Sequence, residues 1–217
     1  MQLTKSYLML LCFSTSLSCH AGVPTTFYKN MYVGALAGYG STTWQGLVPS
    51  SGNQNLALSM STPLQVSEGG AVWGFLAGYE ISQYFALEAN YTKYPDARVA
   101  FDPVTSLFSF DHAGQTEFIT NTEMYSLMGK VMLVVPDTKV RVFSSAGVAT
   151  VHREDMIVND SLVSPTFGVG VNYPINEHFM AELAGTYTTG FGESQLNPAD
   201  SYIPFLYSVS FRLAYHF

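Results

Sequence analysis

Cysteine is missing from everything beyond residue 21, because the two in the chain, Cys12 and Cys19, both lie in its opening segment. A chain cut there has no disulfide, no cysteine metal site and no thiol chemistry. Charge is scarce as well. Only 12% of residues are charged, about half the usual share. With Lys5 set aside, eight Lys and Arg face sixteen Asp and Glu, a net charge of −8. An acidic chain without a basic cluster argues against a nucleic-acid partner. Long apolar runs are lacking too. After the opening segment none approaches the 18 residues of a membrane helix, yet 47% of the chain is hydrophobic. A secreted chain of that kind, rich in Tyr and Gly, points to a closed β-barrel as its membrane solution.

The opening segment itself reads as a secretory signal over 1–21. Lys5 gives a short positive start, Tyr7 to Leu17 is an apolar run of eleven residues, and Cys19 and Ala21 put small residues before Gly22. Cleavage after Ala21 is expected. The competing lipoprotein site at Cys19 has Ser16 where such sites resemble one another in having Leu or Val.

What the chain does have is alternation. In the last stretch Phe205, Tyr207, Val209, Phe211, Leu213, Tyr215 and Phe217 fall on one face of a strand, and Leu206, Ser208, Ser210, Arg212, Ala214 and His216 on the other. Seven earlier segments repeat the pattern. Their greasy rows are Met31–Tyr39, Ala71–Tyr79, Phe85–Tyr91, Tyr125–Leu133, Val140–Val148, Phe167–Tyr173 and Phe179–Tyr187, each taken at every second residue. Most of the strand glycines and every mid-strand charge share the opposite row. Soluble barrels put their large apolar residues inside; here the aromatics take the other face. The expected fold is therefore all-β: an eight-stranded antiparallel up-and-down transmembrane β-barrel over 22–217. Short joins at Ser82-Gln83, Pro136-Asp137-Thr138 and Pro174–Glu177 alternate with long ones at about 41–68, 93–122, 153–164 and 190–202. The short turns are expected on the periplasmic side, the four long loops outside the cell.

A repeat lies within this pattern. A shift of 94 residues pairs Gly74 with Gly168, Tyr79 with Tyr173, Phe85 with Phe179 and Glu88 with Glu182. Duplication and convergence on barrel chemistry explain it equally well, and either puts the two glutamates at matching depth.

Three features carry a resemblance: Tyr32-Val33-Gly34-Ala35 opening the first strand, Gly78-Tyr79 closing the second, and the aromatic terminal strand ending at Phe217. Through them the whole mature chain resembles the OmpA-like and opacity-protein-like family of eight-stranded outer-membrane barrels. The resemblance implies the bacterial outer membrane, with its lipid and lipopolysaccharide, as surroundings. It also implies that Phe211, Leu213, Tyr215 and Phe217 form the signal read by the barrel-assembly machinery. It specifies no activity, and the wall-anchoring function of larger relatives is not implied.

Two constellations stand out for function. Glu88, Lys130, Arg141, Glu182 and Arg212 all fall on inward rows, each roughly five or six residues from a periplasmic turn or terminus, and are expected to share one layer. Eight strands leave an interior that side chains fill, so these five are expected to form a charge-paired plug. The second long loop is apolar for a surface connection, with Val99, Phe101, Leu107, Phe108, Phe110 and Phe118. Its alternation at Arg98–Asp102 and Leu107–Asp111 suggests a hairpin rising beyond the bilayer, with an edge to which a host or extracellular protein adds; packing on its own neighbours is the alternative.

Other groups carry less. Asp102, Asp111, His112 and Glu117, and likewise His152, Glu154, Asp155 and Asp160, match no cation-loop spacing and read as solvated surface. No metal or cofactor is expected. Catalysis on lipid requires an outward Ser and His on neighbouring strands. Ser144 and His152 share an outward row about 26 Å apart, and no partner is seen in the neighbouring rows, so no enzyme is expected. A structural and surface-contact barrel is the first reading, a narrow or gated channel the second, and a lipid-modifying enzyme the third.

Overall fold

The computed structural model describes residues 30–44, 63–101, 114–155, 159–190 and 203–217. The signal segment, its cleavage site and the Leu107, Phe108 and Phe110 part of the second loop lie outside the described residues, as do Asp102, Asp111 and His112. Ten strands follow one another: β1 (Met31–Thr42), β2 (Pro63–Ser67), β3 (Gly69–Ser82), β4 (Phe85–Lys93), β5 (Ala97–Phe101), β6 (Glu117–Val134), β7 (Arg141–Glu154), β8 (Asn159–Pro174), β9 (Phe179–Thr188) and β10 (Leu206–His216).

Eight of them close a barrel. Each of β1, β3, β4, β6, β7, β8, β9 and β10 pairs antiparallel with the next, and β10 pairs back onto β1. Closure leaves no barrel edge, the condition for a sheet in lipid. β2 and β5 are additional. They stand above the barrel beside the extended end of β6, in the order β2-β5-β6.

The alternation in the sequence becomes inside and outside. Leu36 and Leu76 are 5% exposed within the lumen, whereas Phe75 and Val169 are 58% and 63% exposed on the wall. So many exposed large hydrophobics are intelligible only if lipid covers them. Aromatic contacts mark the two ends of that wall. Tyr91 touches Trp73 and Tyr125 toward the loops, and Tyr215 touches Phe179 and Phe217 toward the short turns. Inside, close strand contact requires glycine at Gly38 and Gly147: a Cβ there would lie 2.0 Å from the carbonyl oxygens of Val209 and Leu127. The turn between β6 and β7 places Asp137 at φ 59°, a left-handed conformation that Asp tolerates.

The hairpins rise further than the alternation does. β7 and β8 stay paired up to Glu154 and Asn159, so most of the 153–164 connection is strand. Hydrophobic alternation reports the lipid, while the backbone ladder needs only a partner strand. Above the bilayer the first signal stops and the second continues.

Candidate functional site

Strand stagger sets the depth of every inward side chain. From Tyr32, successive paired residues are Gly78, Glu88, Met128, Gly147, Thr166, Thr188 and Leu206, and the path re-enters β1 at Thr42, ten residues above its start. Such stagger tilts the strands by about 40° and lifts each step by about 1.25 residues. On that scale Glu88, Lys130, Glu182 and Arg212 come to one level, and Arg141 lies about three residues lower.

The side chains follow. Glu88 reaches Lys130 with Oε2 (2.8 Å) and Arg212 with Oε1 (2.9 Å). Glu182 reaches the same two cations, Lys130 with Oε2 (2.9 Å) and Arg212 with Oε1 (3.1 Å). β4 and β9 are opposite one another in the ring, as are β6 and β10, so each carboxylate spans the lumen between both cations. All four are buried. Tyr32 donates its hydroxyl to Glu88 Oε2 at 2.8 Å, and Lys130 Nζ lies 4.4 Å from the centre of the Phe143 ring. Neither neighbour was found from the sequence, although Tyr32 and Phe143 share the inward rows. The register of the two glutamate hairpins also agrees: Gly78 opposes Glu88 as Asn172 opposes Glu182, and Gly74 opposes Thr92 as Gly168 opposes Thr186.

Arg141 is the exception to the expected single layer. It is the first residue of β7, too close to its turn to reach the quartet. It pairs instead with Glu80 (2.9 Å) and donates from Nε to Asn172 Oδ1 (2.8 Å). Glu80, Arg141, Met180 and His216 line a vestibule of about 410 Å³ open at the short-turn end.

The opposite mouth is covered. Val99 and Phe118 face each other across β5 and β6 and are buried with Trp44 and Ala97. They are therefore not the exposed apolar surface expected of this loop. The side chain of Phe101 is outside the described residues. β4 stops at Lys93 before Pro95, which has no N–H for a ladder, and β5 resumes along β6. The outer edge of β5 is not free either, since β2 pairs with it. Beneath this cap Arg153 packs on the Trp44 ring (4.7 Å) and pairs with Asp155 (2.6 Å), which also accepts from Thr120 (3.2 Å). Asp155 is thus part of a buried pair, not solvated rim. Among the described residues no three His, Cys, Asp or Glu stand close enough to hold a metal ion.

The outer wall brings one correction. Ser161 of β8 stands across from His152 of β7, and its hydroxyl lies 2.9 Å from His152 Nδ1. A neighbouring row does offer a serine, hidden because this part of β8 reads as loop. Among the described residues, the neighbours of the pair are otherwise engaged. The Ser161 N–H, a ready oxyanion donor, is bound to Asp160 Oδ1 (2.7 Å). Glu123, opposite His152, turns its carboxylate to Lys93 (3.4 Å) and the Tyr125 hydroxyl (3.5 Å).

At the seam, Phe211, Leu213, Tyr215 and Phe217 all face outward, and the Phe217 N–H donates to the Met31 carbonyl (3.1 Å).

A family model described as the outer membrane protein beta-barrel domain matches residues 9–217. Three solved structures similar to this chain are those of Neisserial surface protein A, OprG from Pseudomonas aeruginosa, and the outer membrane protein AlkL in DMPC lipid bilayers. The first is 14% identical over 87% of this chain and 97% of its own, with a TM-score of 0.51. OprG is 9% identical over 88% and 98%, with a TM-score of 0.52. AlkL is 16% identical over 90% and 94%, with a TM-score of 0.51. At such identities the likeness is one of fold. No curated protein sequence matches this one.

Proposed function

Because this chain belongs to the outer membrane protein β-barrel family, we propose that it is a closed barrel of the bacterial outer membrane that acts by contact. Its lumen is sealed, and its extracellular strands and loops meet a host or extracellular protein. The quartet carries this reading. Two carboxylates and two cations fill one cross-section of the lumen with every carboxylate oxygen engaged, and buried charges so paired are costly to separate. The apolar cap at the loop end supports it further.

Two experiments test the two halves. Purified barrel in liposomes is expected to leave small-sugar swelling at the protein-free rate; swelling at porin-like rates contradicts the seal. Deletion of residues 102–117 is expected to abolish binding of cells to host matrix, and unchanged binding counts against contact through this loop.

The second reading, a gated channel, has one observation in its favour. The vestibule already opens the lumen from the short-turn end to just below the quartet, so separation of the quartet would remove the barrier at that level. Conductance that appears only when the ion pairs are disrupted would favour it.

A further inference from the structure

The quartet satisfies its members unequally. Lys130 directs hydrogen bonds to both glutamates and packs on Phe143. Arg212 donates from Nη1 to both glutamates and from Nε to Ser210 Oγ (3.4 Å). Its Nη2 carries two further N–H groups, which donate to no described residue.

An unmet acceptor lies close by. Asn90 donates from Nδ2 to Ser126 Oγ (3.4 Å), while its buried Oδ1 receives no hydrogen bond from the protein. A buried amide oxygen left so is costly unless something donates to it. Arg212 and Asn90 both line one small cavity above the quartet, on the side toward the loops, together with Ser126, Ser210 and the apolar Leu36 and Met128. The centre of a water-sized sphere has about 10 Å³ to move in there, close to the room one water needs.

We propose that this cavity binds a single water that accepts from Arg212 Nη2 and donates to Asn90 Oδ1. The chemistry selects water over an ion. A halide would face the Asn90 carbonyl oxygen and the two nearby carboxylates, and an alkali cation would face the Arg212 guanidinium. Water both accepts and donates, and the Ser210 hydroxyl offers it a third partner. Thr186 and Ser208 are already bonded to each other (2.7 Å). The water links the ion pairs to the polar side chains just above them, beneath the buried apolar cluster that includes Leu36 and Met124. This inference concerns the seal alone and stands whether or not the loops bind a partner.

The test is water-to-protein magnetisation transfer by NMR on the full barrel in lipid nanodiscs. Transfer from a slowly exchanging water is expected at the Arg212 guanidinium and the Asn90 amide protons. In Asn90→Leu, which removes the acceptor and fills the cavity, the Arg212 transfer should be lost while the amide shifts of Glu88 and Glu182 stay in place. Absence of transfer at Arg212 in the unmodified barrel overturns the proposal, a result independent of how the variant folds. Transfer undiminished in a folded Asn90→Leu barrel overturns it as well.

Discussion

Single residues differ in what their removal leaves behind. Arg212→Ala strands Glu88 and Glu182 with one cation between them in a buried layer. Breaking such a set costs about 3–5 kcal/mol, so the urea midpoint of the barrel in lipid vesicles is expected to fall accordingly. Arg141→Ala also removes an ion pair, but one whose side chains open onto the vestibule. Water reaches the orphaned Glu80, and although the buried Asn172 also loses a donor, a smaller loss of about 1–2 kcal/mol is expected in the same assay. Equal losses for the two would contradict the distinction between a sealed layer and a wet mouth. The inward parity of all five charges was legible in the sequence. Their depth was not, because it depends on a stagger accumulated round eight strands, and counting from the nearest turn set Arg141 too high.

At the scale of elements, β6 and β7 show what close packing demands. Gly147→Val would drive a Cβ against the Leu127 carbonyl, 2.0 Å away before any shift. Overpacking of this kind costs about 1–3 kcal/mol or more, and the variant is expected to lose the heat-dependent gel shift of a closed barrel. β10 closes the seam on β1 through the register from Tyr32 and His216 to Thr42 and Leu206. If its outward aromatics also serve assembly, as the family resemblance implies, Phe217→Ala should lower the assembled fraction in cells and leave refolding of purified chain nearly unchanged. Equal defects in both settings would assign Phe217 to stability alone. Eight strands could be read from alternation because lipid demands a greasy row. β5 (Ala97–Phe101) was legible as the alternation at Arg98–Asp102, although Val99 and Phe118 turn inward onto Trp44; β2 was not, since above the lipid no greasy row is demanded. Ser161 was missed for the same reason.

Across the whole molecule, the resemblance carried by Tyr32–Ala35, Gly78-Tyr79 and the terminal strand is borne out by the family match over residues 9–217. The fold, then, was in the sequence almost entirely. The arrangement of the lumen was there only in part: two adjacent-strand pairs, Glu88 with Lys130 and Glu182 with Arg212, but not the contacts that cross the lumen and lock them together. Those crossing contacts turn two ion pairs into one seal, with a vestibule on one side of it and a one-water cavity beneath an apolar cluster on the other. Flux of small solutes through the unmodified barrel, measured in planar bilayers and liposomes, tests that arrangement most directly. The account predicts no steady conductance and no swelling above the lipid background. Steady porin-like conductance with the four charges intact would contradict it.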